Sequence, residues 1–268
     1  MLPVLFHVGD VAVPTHEVFT ILGVAAALLL FHVEARRLGM EDERLWQVAA
    51  GALLGGAIFA KLGTSWQYLR SVPEPSLGGL WLYGGKTVLG GLAGAYLGAL
   101  VAKQLVGERR STGDAFAPAV CAGIAVGRIG CFLSEQIGTP TTLPWGIRVS
   151  PEVAARIPGC EDCGPGIAMH PSFLYEIAFL VVLFVVLRRL RGRIPVEGEL
   201  FRLFLLAYGT FRFAVEFVRA NPETAFGLSG SQIFLACTLP FLVAYFARQV
   251  RRGAYRPLRA PARTEVLA

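Results

Sequence analysis

The sequence predicts an all-α, polytopic integral membrane protein with about seven transmembrane helices, its N-terminus outside the cytoplasm and its C-terminus inside. Three observations lead there. Of 268 residues, 54% are hydrophobic and only 16% are charged, where a soluble domain usually carries about 25%. The apolar residues form long runs, and residues 18–33 and 177–187 carry no charge at all. The basic residues gather in alternate loops between those runs.

A bilayer core needs about 20 mostly apolar residues per helix. That unit recurs at 16–35, 46–69, 88–106, 114–134, 171–190, 200–219 and 231–249. The first, third and fifth loops and the C-terminal tail hold seventeen Lys and Arg residues, among them Arg36, Arg110, Arg191 and Arg251. The opposite side holds five: Arg70, Lys86, Arg148, Arg156 and Arg219. Positive charge marks the cytoplasmic side, so the odd loops and the tail are expected there. The expected organisation is one transmembrane domain over 1–250, with an outer loop at about 135–170, and a basic cytoplasmic tail over 251–268. The N-terminus lacks the basic segment and small-residue cleavage site of a signal peptide, so the first apolar segment is expected to stay as a helix. A net charge of +6 does not imply nucleic acid here, because clustered basic loops set topology. No nucleic-acid partner, metal or cofactor is expected.

The outer loop carries Cys160 and Cys163. They form either a small disulfide in an oxidising compartment or two free thiols. A zinc site in that loop needs more ligands than it offers. Gly90, Gly94 and Gly98 recur every fourth residue in the third span, a spacing that lets helices approach closely in lipid. Gly84-Gly85-Lys86-Thr87 imitates the end of a P-loop, but Leu80 stands where the first glycine is required, and the nucleotide reading fails.

Polar residues inside apolar spans carry the chemistry. In the fourth span Arg128, Cys131 and Glu135 are spaced i, i+3, i+7 and share a helix face. Arg128 either snorkels to the outer interface or binds an anion. In the sixth span Tyr208, Arg212, Glu216 and Arg219 fall at about 0°, 40°, 80° and 20° around a helix of 100° per residue. So narrow a polar face points into the protein. Its surplus positive charge, with Arg128, suits a phosphate, which guanidinium groups bind in two-pronged fashion. At the depth of the outer leaflet that phosphate is a phospholipid headgroup. The fifth span opens with His170-Pro-Ser-Phe-Leu-Tyr-Glu176, where Pro171 suits a first helical turn.

These segments resemble the prolipoprotein diacylglyceryl transferase family of bacterial membrane enzymes. The likeness runs through Asp114-Ala-Phe-Ala-Pro118, Gly127-Arg-Ile-Gly130, Gly138 to Trp145, His170 to Glu176, and Tyr208-Gly-Thr-Phe-Arg212 with Glu216 and Arg219. The resemblance implies a multi-pass protein of the bacterial inner membrane. Its implied reaction moves a diacylglyceryl group from phosphatidylglycerol to the lipobox cysteine of a prolipoprotein signal peptide, releasing glycerol 1-phosphate. The partners implied are that lipid, that peptide and the lipid bilayer. By resemblance Arg128 and Arg212 hold the phosphate, Glu216 and Arg219 complete the site, Tyr208 lies nearby, and Gly138 shapes the loop after the fourth span. Glu135 and His16 are further substrate-binding candidates.

The chain departs from the family pattern in four places. Cys131 replaces an asparagine. Leu89 or Tyr83 stands where a histidine precedes paired glycines. His16 takes the place of a tyrosine. The loop bearing Glu135 is one residue short. A general base then has to come from another histidine near the outer mouth, His16 or His170. A neutral imidazole accepts the proton; His170 neighbours a helix N-terminus and His16 neighbours Glu17, so His170 is the preferred base. Without the expected histidine, a non-catalytic lipid-binding or transport protein is the rival reading, and a transferase with another acceptor is the third.

Overall fold

A computed structural model of the protein describes residues 2–65, 68, 69, 72, 76–83, 85–154 and 166–255. Cys160, Cys163 and the tail beyond 255 lie outside the described residues. The chain divides into two compact units, Ala35–Thr112 and the combination of Met1–Glu34 with Gly113–Ala268.

The smaller unit is built on two helices, α2 (Glu43–Leu62) and α4 (Val88–Val106), with the short α3 (Leu77–Tyr83) between them in sequence. Asp42 caps α2 by accepting from the Leu45 amide at 3.0 Å, and it also receives Arg110 from beyond the end of α4. The start of one helix thus meets the end of the other, and the pair runs antiparallel. Arg110 also hydrogen-bonds Glu108 and holds that carboxyl down at about 2. The glycine spacing read from the sequence is the seam of this pair. A Cβ on Gly98 would lie 2.2 Å from the Gly51 carbonyl, and one on Gly94 would lie 2.3 Å from the Gly55 carbonyl. Two backbones in direct contact leave no room for side chains.

The larger unit holds α1 (Thr15–Arg37, whose last three residues fall in the smaller unit), α5 (Gly113–Ser134), α7 (Ser172–Leu190), α8 (Glu199–Val215) and α9 (Gly230–Arg251). Contacts between helix ends show that these five alternate in direction. At one end Glu34 pairs with Arg191. There Asp114 also accepts from the Gly198 and Leu200 amides at 3.0 and 3.1 Å. That carboxylate caps α8 from another helix, because Gly198, the residue before α8, has no side chain to do so. At the other end the Leu2 amide donates to Leu133, the Ser172 amide to Ile137, and Ser229 to Glu216. Close crossing of α1 and α5 again uses glycine, since a Cβ on Gly23 would lie 2.6 Å from the Gly123 carbonyl.

Among the described residues, five helices are long and apolar enough to cross a membrane: α1, α2, α4, α5 and α9. The fifth and sixth expected spans are also helices, but α7 includes Glu176, Arg188 and Arg189, and α8 is only 17 residues long. Several boundaries differ from expectation. The second span stops at Leu62, capped by Gly63, and not at 69. Pro171 sits just before α7, not in its first turn. α8 ends at Val215 and tightens into a 3-10 turn over Glu216–Val218, after which Arg219 is extended. Tertiary partners hold that end out of α geometry: Thr139 takes the Val218 carbonyl, and Ser229 and Asn221 take the Glu216 carboxylate.

Nor is the chain purely helical. Three small antiparallel sheets pair β1 (Val4–Val8) with β2 (Val11–Pro14), β3 (Ile147–Arg148) with β4 (Ala168–Met169), and β5 (Glu223–Ala225) with β6 (Leu228–Ser229). A four-residue helix, α6 (Pro151–Ala154), follows β3. Phe226 and Gly227 both have positive φ (56° and 68°), as a two-residue hairpin turn requires.

The seam of the smaller unit gives a direct test. Gly98→Leu forces a side chain into backbone, and overpacking costs about 1–3 kcal/mol. The melting temperature of the detergent-solubilised protein should fall for Gly98→Leu and Gly94→Leu. Gly78→Ala, where a Cβ meets nothing within 4 Å, should leave it unchanged. Equal melting of all three would dissolve the seam.

Candidate active site

The site lies at the end of the larger unit where α5 stops, α7 begins and α8 tightens. Its centre is Glu176, fully buried on the first turns of α7. Tyr208 of α8 donates to its Oε1 at 2.7 Å. Arg219 donates to its Oε2 at 3.2 Å. Arg128 of α5 brings Nε to 2.9 Å from Oε1. A second carboxylate, Glu216, receives Arg212, the Asn221 amide at 2.8 Å and the Ser229 hydroxyl at 2.7 Å. Arg219 Nε stands 3.7 Å from it. The Phe173 ring has the Arg219 guanidinium 4.4 Å and that of Arg128 5.8 Å from its centroid, a contact that favours cations over an aromatic face.

Arg128, Arg212, Glu216, Tyr208 and Arg219 are therefore brought together, though Arg219 comes from the extended segment after the 3-10 turn and not from the helix face that the spacing predicted. Glu176 alters the charge count. The sequence reading set three guanidiniums against one carboxylate; with Glu176 there are two, and the net charge is one positive rather than two. A buried net charge calls for a counter-ion. Donors also remain. Among the described residues, Arg212 Nε is buried without a hydrogen-bond partner, and Arg128 Nε, close as it is to Glu176, lies off the line of a hydrogen bond. Charge and orphaned N–H groups both suit an anion.

Beside this cluster is a second one. His16, at the start of α1, places Nδ1 3.0 Å from Glu135 Oε1 and 3.7 Å from Cys131 Sγ. Arg128 reaches the same sulfur with Nη1 at 3.6 Å. Burial alone would raise the Glu135 carboxyl, but the hydrogen bond and charge of His16 outweigh it and hold the group at about 2. Gly130 makes the approach possible, for a Cβ there would lie 2.6 Å from Phe19 and 3.3 Å from the His16 backbone. A cavity of about 540 Å³ opens here, lined by His16, Glu135, Phe173, Arg219 and Asn221 among others.

Gly138 fastens the two sides of the site. A Cβ on it would lie 2.3 Å from the His170 carbonyl and 2.7 Å from that of Val218. Its neighbour Thr139 bonds both segments, through the Val218 carbonyl at 3.1 Å and the His170 amide at 2.8 Å. The His170 ring is engaged elsewhere: Nδ1 lies 3.3 Å from the Tyr175 hydroxyl, which also accepts from Trp145 at 2.8 Å. His170 is not among the residues lining the cavity.

Comparison with known proteins decides the family. A model of the prolipoprotein diacylglyceryl transferase family matches residues 3–248. This chain belongs to that family. It is 33% identical over 248 residues to the phosphatidylglycerol–prolipoprotein diacylglyceryl transferase of Geobacter sulfurreducens, covering 89% of this chain and 90% of that one. The enzyme of the same name from Mycobacteroides abscessus is 30% identical, with 83% and 69% covered. The one from Nitratidesulfovibrio vulgaris is 38% identical, with 70% and 67% covered. Every residue of both clusters falls inside the family match. Two of the four departures from the family pattern, His16 and Cys131, prove to be neighbours.

Glu176 is the residue that sequence reasoning passed over. It was quoted within a motif but given no role, although a carboxylate inside an apolar span is a functional signal in itself. Phe173, Asn221 and Ser229 carried no such signal, because their roles exist only through the fold. Removing one partner of a buried ion pair costs about 3–5 kcal/mol. Glu176→Gln should therefore lower the melting temperature in detergent more than Tyr208→Phe, which removes a single hydrogen bond. The reverse order would deny Glu176 its central place.

Proposed function

We propose that this family member transfers the diacylglyceryl group of phosphatidylglycerol to the thiol of a lipobox cysteine in a prolipoprotein, releasing glycerol 1-phosphate. The observation that carries the reading is the buried cluster of three arginines and two glutamates, one positive charge in surplus, opening on a cavity. In our reading the lipid phosphate takes the orphaned Nε–H of Arg212, with the Arg128 guanidinium beside it. Arg219 stands at the cavity wall. Glu176 and Glu216 fix the guanidiniums so that they need not reorganise as the reaction proceeds. When the glyceryl C–O bond breaks, charge grows on the phosphate oxygens, and preplaced cations in a dry site stabilise it. Tyr208 orients Glu176, and Gly138 keeps the loop close enough to seal that side.

The acceptor thiol approaches, in this reading, from the side of His16, Cys131 and Glu135. The cavity lining favours His16 over His170 as the imidazole that faces substrate. His170, with Tyr175 and Trp145, then shapes the outer rim.

We further propose a seven-span arrangement in the bacterial inner membrane, with α7 and α8 as the two spans beyond the five apolar ones. The alternation of the five helices of the larger unit supports it. So does the charge distribution: Arg188, Arg189, Arg202, Arg248 and Arg251 cluster at the end opposite the site. The positive-inside rule then turns the site outward, toward a prolipoprotein emerging from the cytoplasm.

Three measurements test these readings. Losing a charge-assisted hydrogen bond costs about 1.5–3 kcal/mol, or one to two decades in rate. Arg212→Lys and Arg128→Ala should lose that much transfer of labelled phosphatidylglycerol to a lipobox peptide while still inserting in the membrane. Near-normal rates in both would remove the phosphate clamp, and lipid binding without any transfer in the unaltered chain would favour a non-catalytic protein. Secondly, His16→Gln should slow transfer more than His170→Gln with lipid binding kept; the opposite order would make His170 the imidazole that faces substrate. Thirdly, a reporter fluorescent only in the cytoplasm should light up when fused after Ala268, and one active only outside should work near Gly159. Reversal of either would refute the orientation.

A further inference from the structure

The cluster of His16, Cys131 and Glu135 has a chemistry that the phosphate clamp does not use. Its three donor atoms, an imidazole nitrogen, a thiol sulfur and a carboxylate oxygen, all lie within 4.8 Å of one another. A tetrahedral zinc ion with ordinary bond lengths to N, S and O sets its ligand atoms about 3.4–3.6 Å apart. Here Nδ1 to Sγ is 3.7 Å and Nδ1 to Oε1 is 3.0 Å, each within about half an ångström of those separations. Cys131 and Glu135 stand four residues apart, Cys131 on the final turn of α5 and Glu135 just past its end, and so present to one side. Gly130 lets α1 bring His16 against them. No metal was expected from the sequence, because His16 lies far along the chain from Cys131 and Glu135.

We propose that His16 Nδ1, Cys131 Sγ and a Glu135 oxygen form a zinc site with one open position, and that the acceptor thiol occupies that position as a thiolate. The inference rests on the transferase reading above. The ligand set suits zinc, which accepts borderline-soft mixtures of N, S and O, and not the oxygen-loving magnesium or calcium. Three protein ligands and one open position are the pattern of catalytic zinc, whereas closed four-ligand sites are structural. The open position has somewhere to face, because His16 and Glu135 line the cavity. Charge also balances. One thiolate and one carboxylate neutralise the zinc ion, which leaves the surplus charge of the arginine cluster to the phosphate.

The need for such a site follows from the reaction. A free cysteine thiol, with a pKa of about 8.5, is mostly protonated at neutral pH. Coordination to zinc deprotonates it outright. The thiol proton passes to water in the cavity as the sulfur binds the metal. The sulfur lone pair then attacks the glyceryl carbon; the C–S bond forms and the C–O bond breaks. The electron pair leaves with the phosphate oxygen, held by the arginines on the far side of Arg128. No oxidation or reduction occurs. The product thioether is a weaker ligand than the thiolate and gives up the metal.

The test uses the full-length chain in detergent with zinc chloride as the probe. After dialysis, elemental analysis should find about one zinc per chain, and His16→Ala, Cys131→Ser and Glu135→Gln should each weaken zinc binding about tenfold or more. With cobalt(II) in place of zinc, a thiolate-to-metal charge-transfer band should be present. It should be absent in Cys131→Ser and should change when a lipobox peptide is added to the unaltered chain. That last reading needs no variant to fold. Chelation should abolish transfer, and zinc should restore it. Full transfer by the metal-free chain overturns the zinc site and leaves the transferase reading standing. Zinc bound at these residues with no transfer under any condition supports the ligand set and overturns the transferase reading. Zinc binding untouched by all three substitutions overturns the assignment.

Discussion

Three guanidinium groups buried among apolar helices are the constraint on which the rest of the structure depends. Charge taken out of water is expensive unless paired and hydrogen-bonded. Glu176 and Glu216 supply that pairing, and each is itself reached from several elements. Glu176 draws together α5 through Arg128, α8 through Tyr208 and the turn after α8 through Arg219. Glu216 adds the start of α9 through Ser229. Four segments are thereby fixed at one end by two carboxylates. The end of α8 gives up α geometry to satisfy them, which is why Arg219 departs from the helix and reaches Glu176. One guanidinium is left without a compensating carboxylate, and an anionic substrate is the group that balances it.

Close backbone contact is the second device, and it serves both units differently. In the smaller unit Gly51, Gly55, Gly94 and Gly98 bring two helices together along their length. In the larger unit single glycines act at chosen points. Gly130 sets the distance from α1 to α5 at the mouth of the site, and Gly138 threads between the His170 and Val218 carbonyls. A side chain at either of these positions would push apart elements that carry functional groups. The glycines therefore belong to the site as much as the arginines do, though they touch no substrate.

Membership of the prolipoprotein diacylglyceryl transferase family rests on a match over residues 3–248, which spans the arginine cluster and the His16 cluster alike. His16 and Cys131, unrelated in sequence and both departures from the family pattern, meet across α1 and α5. Glu135 joins them from the loop whose length also differs. The cavity is lined by His16 and Glu135 of one cluster and by Arg219 of the other.

By itself the sequence determined the membrane character, the approximate course of the helices and the polar residues that gather at their ends. Apolar run length and loop charge are local properties, and the spacing of Tyr208, Arg212, Glu216 and Arg219 projects onto one helix face without knowledge of any neighbour. The role of Glu176 was legible only in part: a carboxylate in an apolar span is a signal, but the groups that answer it sit 32 to 48 residues away in sequence. Only the tertiary structure decided the charge count, the 3-10 turn at Glu216, the small hairpins and the meeting of His16 with Cys131. Each depends on contacts between segments far apart along the chain. Pattern and propensity describe what one segment prefers; the energy of a buried charge or a backbone contact is set by what stands opposite, and that is known only once the helices are packed.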